Sequence, residues 1–120
     1  MNKKTLVLGA SVNPQRYSNM ATISLLNHGH PVVLIGQKSG QIKAEPILVS
    51  PPELHDIDTV TLYLNPSNQK PWYNYILSLR PKRIIFNPGT ENPELFEQAT
   101  RIGIECTEAC TIVLLSIGAY

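Results

Sequence analysis

What most restricts the fold of this chain is a set of short apolar runs, Thr5–Leu8, Val32–Ile35, Thr59–Leu64, Arg83–Phe86 and Ile104–Thr107, with helical patterns between most of them. Strands alternating with helices specify a parallel sheet. The runs are nearly continuous in Val, Ile and Leu instead of alternating with polar residues, as expected of strands covered on both faces. The expected fold is therefore α/β, with a single doubly wound parallel sheet of about five strands flanked by helices. At 120 residues and 42% hydrophobic content the chain is long enough for one core and too short for two, so 1–120 reads as one domain.

The helices have start and stop signals. The first is expected over about Ser18 to His28, with Ser18 or Asn19 as its cap, Met20, Ile23 and Leu26 or Asn27 along one side, and Gly29 as its end. Between Gly36 and Pro52 the composition reads as a long loop with a short extended piece at Ile47 to Val49. Asn65 then caps a helix with Pro66 in its first turn and Trp72, Ile76 and Leu79 on one face, stopped by Arg80-Pro81. Asn92-Pro93-Glu94 repeats that start before Leu95, Ala99 and Ile102, and Gly103 closes it. Ala109 to Gly118 reads as a closing helix, with its β-branched residues leaving a strand open.

In a parallel sheet the functional loops follow the carboxyl ends of the strands. Here they are Gly9 to Ser18, Gly36 to Lys43, Asn65 to Gln69, Asn87 to Asn92 and Glu108 to Thr111. The first joins a strand to a helix, an arrangement that points backbone N–H groups and the positive end of a helix dipole at one spot. Gly9 suits the exit turn, and Arg16 can grip two phosphate oxygens. Without a G-x-G-x-x-G pattern, spacing alone fits either an anion site or an ordinary connecting loop. The formal net charge of +1 gives no field suited to nucleic acid or a membrane surface, so any anion site is local.

Other chemistry is sparse. His28 and His30 form an H-x-H pair on a loop leading into a strand, at the edge opposite the crevice, and read as solvated histidines, not metal ligands. Cys106 and Cys110 lack partners for a zinc site and read as reduced thiols in a chain without export signals, which places it in the cytoplasm. Paired carboxylates are not evident, and Ser11 lacks the G-x-S-x-G surroundings of a nucleophile. Trp72, Tyr73 and Tyr75 at helical spacing read as packing residues. No catalytic or metal-binding residue is identified.

With G-A-S-x-N-P-x-R-Y-S at Gly9 to Ser18, the Asn65-Pro66 pair, P-G-x-x-N at Pro88 to Asn92, and Cys110-Thr111 in place, the whole chain resembles the small stand-alone CoA-binding domain family. That family shares a Rossmann-like fold with the CoA-binding domain of succinyl-CoA synthetase. The resemblance implies non-catalytic binding of CoA or an acyl-CoA, a small-molecule nucleotide ligand. It places Gly9, Ala10, Ser11 and Asn13 in the binding loop, with Ser11, Arg16, Tyr17 and Ser18 lining a pyrophosphate pocket. Gly36 and Lys38 would face the adenosine end, where Lys38 would meet the ribose 3′-phosphate. Asn65, Pro66, Pro88 and Gly89 would border the ribose or pantetheine arm. The family commonly reads Asn-Pro after the second strand, where this chain has Gly36-Gln37-Lys38. Two other readings are a small NAD(P)- or nucleotide-dependent enzyme and a ligand-free Rossmann interaction module.

Overall fold

A computed structural model describes residues 2–120. The elements are β1 (Thr5–Leu8), α1 (Tyr17–Asn27), β2 (Val32–Ile35), β3 (Gly40–Ile42), β4 (Glu45–Leu48), β5 (Thr59–Leu62), α2 (Pro66–Gln69), α3 (Tyr73–Ser78), β6 (Arg83–Phe86), α4 (Pro93–Arg101), β7 (Glu105–Glu108) and α5 (Thr111–Ser116). They build one seven-stranded sheet in the order β3-β4-β2-β1-β5-β6-β7. All pairings are parallel except that of β3 with β4. The five expected runs supply β1, β2, β5, β6 and β7. A β3–β4 hairpin extends the sheet on one side.

Alternation along each strand divides the core into two layers. Leu6 and Leu8 pack with Ile76 of α3 and with Leu95 and Ala99 of α4. Val7 and Leu34 pack with Leu25 of α1 and Leu115 of α5 on the opposite face. Each fully buried Leu or Ile contributes about 1.5–3 kcal/mol, so β1, buried at all four positions, is the spine of both layers.

The long loop expected after Gly36 is in fact the β3–β4 hairpin. Lys43 takes a φ of 56° in its turn, and Ile47 and Leu48 pair with Leu34 and Ile35. Only Ile42 and Ile47 of the hairpin strands are buried, too few apolar residues to mark two strands. The helix expected after Asn65 is split as well. Pro71 has no N–H to donate and collides with the preceding turn, so Lys70–Trp72 form a 3-10 turn between α2 and α3. The expected face survives, since Trp72, Ile76 and Leu79 all pack on the core.

α1 differs from its expectation twice. The backbone is still extended at Arg16, so Ser18 and Asn19 lie in the first turn instead of capping it. Its buried side is Ser18, Asn19, Ala21, Thr22 and Leu25, which turns Met20 outward. The end signals behave as read: Gly29 N donates to Leu26 O, and Gly103 N to Thr100 O. The closing segment is helical.

At the amino edge, His28 is exposed but His30 is buried, which corrects the solvated reading. Neighbouring strands enter the sheet side by side there, and His30 Nδ1 accepts from Lys3 N at 2.9 Å. Burial and the nearby His28 and Lys3 push the His30 pKa down. The Tyr120 ring lies 4.9 Å from the imidazole and 4.4 Å from the Arg83 guanidinium.

Candidate functional site

The chain runs from β1 outward through β2 to the β3–β4 hairpin, then returns to the other side of β1 as β5. Strand order therefore reverses at β1 and β5, and the loops at their carboxyl ends part to leave a crevice. A cleft of about 280 Å³ lies there, floored by Leu8, Gly9, Ile35 and Gly36 and walled by Gln37, Val49, Leu64, Asn68, Pro71 and Trp72. A larger cavity, about 540 Å³, lies at the amino edge among Lys3, Lys4, Asp56, Asp58, Arg80 and Lys82. Ligands of open α/β sheets enter at the carboxyl ends, and the loops after β1 and β2 do not reach the larger cavity, so the smaller cleft is the candidate site.

Two glycines let three backbones meet at its floor. Gly9 and Ala10 both donate to Ile35 O at 2.9 Å, and Tyr63 N donates to Leu8 O. A Cβ on Gly9, whose φ is 104°, would meet the Tyr63 backbone at 2.9 Å, and one on Gly36 would meet Ala10 O at 2.3 Å. Only a residue without a side chain fits either place.

The β1–α1 loop is held by its own polar groups. Asn13 N donates to Ser11 Oγ, Asn13 Oδ1 accepts from Gln15 N, and Asn19 Nδ2 donates to Ser11 O. α1 then starts after Arg16, its N-cap, with no capping side chain and no acidic residue in its first turn. α2 and α4, by contrast, are capped by Asn65 and Asn92. The N-terminus of α1 thus keeps its positive partial charge at the end of the loop that leaves the cleft floor at Gly9. The Arg16 and Lys38 side chains are exposed and form no ion pair among the described residues.

The thirteen residues suggested by sequence are placed unevenly. Gly9 and Gly36 line the cleft, with Ala10 buried behind them. Ser11, Asn13, Arg16 and Tyr17 follow in the adjoining loop and helix start. Ser18 is buried at 4% exposure, leaving its backbone N–H as the group it offers. Asn65 is occupied as the cap of α2, with Pro66 in the first turn. Lys38, Pro88 and Gly89 are exposed and do not line the cleft; Gly89 N donates to Glu91 Oε1.

Sequence reasoning missed the wall residues Gln37, Val49, Leu64, Asn68 and Pro71, and gave Trp72 only a packing role. It also missed a buried polar network beneath the loops. Asn87 Nδ2 donates to Thr61 Oγ1 and Leu62 O, while Asn87 Oδ1 accepts from Thr111 N. Nearby, Gln69 Nε2 donates to Leu64 O and Thr90 O, and Asn92 Nδ2 donates to Gln69 Oε1 and to the Tyr73 hydroxyl. The available signal was threonine where β5 could have carried valine, and asparagine directly after the apolar β6 run. Burial raises the Cys106 thiol pKa, as suits an inert structural cysteine. No cluster of His, Cys, Asp or Glu able to hold a metal occurs among the described residues, nor any helix long and apolar enough to cross a membrane.

An open, doubly wound sheet with a cleft at the strand-order reversal is the Rossmann-like class of α/β domain. Within it, the model for the CoA binding domain matches residues 3–116, and the chain belongs to that family. It is similar to a solved structure described only as an uncharacterized protein, at 49% identity and a TM-score of 0.98, covering 100% of this chain and 99% of that one. It shares its fold with Prb, the PH1109 protein redesigned for binding, at 22% identity and TM-score 0.87, over 99% of this chain and 86% of that one. A Thermus thermophilus protein is alike at 22% identity and TM-score 0.85, over 99% and 91% of the two chains. A search of curated proteins found no match.

Proposed function

We propose that residues 1–120 act as a single domain that holds CoA or an acyl-CoA at the carboxyl edge without turning it over. The observation that carries this reading is the cleft at the strand-order reversal, floored by Gly9 and Gly36, from which the β1–α1 loop leads to the exposed Arg16 and the uncapped N-terminus of α1. The pyrophosphate lies over the β1–α1 loop, where the N–H groups of the first turn and the Arg16 guanidinium meet its oxygens. The loop after β2 takes the adenosine half. The apolar wall from Leu64 to Trp72 suits the less polar part of the ligand.

Calorimetric titration of CoA into wild type and Arg16→Ala tests the reading. A charge-assisted contact contributes about 1.5–3 kcal/mol, so the variant should bind roughly tenfold to a hundredfold more weakly. Its melting temperature should be unchanged, since the side chain is exposed. Equal affinities, or tighter binding of NAD than of CoA, would overturn the proposal.

Lys38 stands on the loop after β2, where the ribose 3′-phosphate would lie. Wild type should prefer CoA to dephospho-CoA, Lys38→Ala should lose most of that preference, and added salt should shrink it by screening. Equal binding of both ligands by wild type would remove Lys38 from the site.

A further inference from the structure

The segment after α5 returns to the amino edge of the sheet and meets a cluster of cations. Gly118, with a φ of 71°, turns the chain out of α5, and Ala119 N donates back to Leu114 O at 2.8 Å. The Tyr120 hydroxyl lies 2.5 Å from Thr5 Oγ1 at the start of β1. Thr5 gives its own hydroxyl proton to Lys3 O, so the tyrosine is the donor of that pair. Tyr120 O accepts from Lys3 Nζ at 2.7 Å. The ring lies 4.4 Å from the Arg83 guanidinium and 4.9 Å from the His30 imidazole. Arg83 Nη2 is buried without a hydrogen-bond partner, and the aromatic face offsets part of the cost of that charge.

His30 holds Lys3 in place. Lys3 N donates to His30 Nδ1 at 2.9 Å, which requires a lone pair on Nδ1 and puts the proton of the neutral ring on Nε2. A second proton turns Nδ1 into a donor that faces another donor. Among the described residues no carboxylate is in ion-pair contact with the ring. The charged groups around it are all positive: His28 just after α1, Lys3 before β1, the amino terminus and Arg83 of β6. The Tyr120 ring offers little to an imidazolium, because it already faces Arg83 at 4.4 Å and Lys3 at 5.7 Å. Burial first, and then these charges, push the His30 pKa below its ordinary 6.5.

We infer that Tyr120 is a pH-sensitive clasp on the amino edge, loosened when a proton on His30 Nδ1 displaces the Lys3 N–H. Lys3 couples the two side chains: it gives its N–H to His30, accepts the Thr5 hydroxyl on its carbonyl oxygen, and holds Tyr120 O through Nζ. Loss of its anchor on His30 therefore disturbs both polar contacts of Tyr120. The open form, in which His30 is hydrated, binds the proton more tightly than the clasped form. The clasp is thus at full strength above about pH 6.5 and weakens as the pH falls, by at most about tenfold per pH unit for a single proton.

Amide hydrogen exchange followed by NMR on the full chain, with the His30 ring signals titrated in the same samples, tests the inference. In wild type the protection of the Ala119 amide, corrected for the intrinsic pH dependence of exchange, should fall in step with His30 protonation. His30→Asn, whose Oδ1 can accept from Lys3 N and takes up no proton, should keep that protection level over the same range. His28→Asn, at the exposed histidine, should behave as wild type. Because the coupling is reciprocal, Tyr120→Leu should raise the His30 pKa toward 6.5. Protection at Ala119 that stays level while His30 titrates overturns the inference, as does an equally steep fall in His30→Asn. Should His30→Asn not fold, the wild-type titration and Tyr120→Leu decide alone, and an unchanged His30 pKa in Tyr120→Leu overturns it. No residue of the clasp lines the cleft, so none of these outcomes bears on CoA binding.

Discussion

Asn87→Ala is expected to destabilise the protein by about 2–4 kcal/mol, read as a lower midpoint in urea at unchanged slope. The side chain is 1% exposed and satisfies three groups on two elements: the Thr61 hydroxyl and the Leu62 carbonyl in β5, and the first N–H of α5 at Thr111. Truncation leaves Thr111 N without that acceptor and Leu62 O without that donor, at about 1–3 kcal/mol for each buried group left unsatisfied. Thr61 keeps its partner, because its hydroxyl also pairs with Thr111 Oγ1 at 2.8 Å. Against a total stability of about 5–15 kcal/mol the loss is severe. Asn87→Asp should not restore it, since a second oxygen would then face Leu62 O. An unchanged midpoint for Asn87→Ala would mean that the loops after β5, β6 and β7 are held by packing alone.

Gly36→Ala is expected to impair stability and ligand binding together. The new Cβ would lie 2.3 Å from Ala10 O and 3.0 Å from Ile47 Cγ2, and the first obstacle is backbone, which cannot rotate aside. Ala10 is tied to Ile35 O through its own N–H, so relief requires moving the start of the β1–α1 loop. Overpacking of this kind costs about 1–3 kcal/mol. Displacing the loop should lower CoA affinity by at least tenfold in calorimetry. Gly29→Ala is the control. Its φ of 80° imposes strain, yet nothing lies within 4 Å of a Cβ there, so it should lower stability without touching affinity. Equal affinities for Gly36→Ala and wild type would show that the cleft floor can yield.

The interior strands β1, β2, β5 and β6 were legible because each is a run of four residues rich in Val, Ile and Leu, or in β-branched Val and Thr in β5, buried between helical layers. The helix limits at Asn65, Asn92, Gly29 and Gly103 were legible because capping is local chemistry. What was hidden depends on partners distant in sequence. β3 and β4 are strands because Ile47 and Leu48 find β2, which no short window contains. The inward side of α1 is decided by the sheet beneath it, where small and polar residues pack closely, so its own periodicity pointed to the wrong stripe. Pro71, a purely local signal, was there to be read and splits the helix it was expected to sit in. For the candidate site, the G-A-S-x-N-P-x-R-Y-S loop begins at Gly9 on the floor of the cleft. The walls at Val49, Leu64 and Asn68 come from the connection after β4, the connection after β5 and helix α2, which only the folded sheet brings together.

The position of β1 has a consequence for how the chain reaches this state. β1, made before the other strands of this sheet, ends in its middle, with β2 on one side and β5 on the other. Its helix, α1, is partnered by α5, and Lys3 Nζ hydrogen-bonds Tyr120 O across 117 positions. A nascent chain therefore carries an open β1 edge until β5 has emerged, and a half-covered α1 until α5 follows. Pairings of such long range close slowly. The interval before they close is when the chain is most exposed to mispairing and to capture by chaperones.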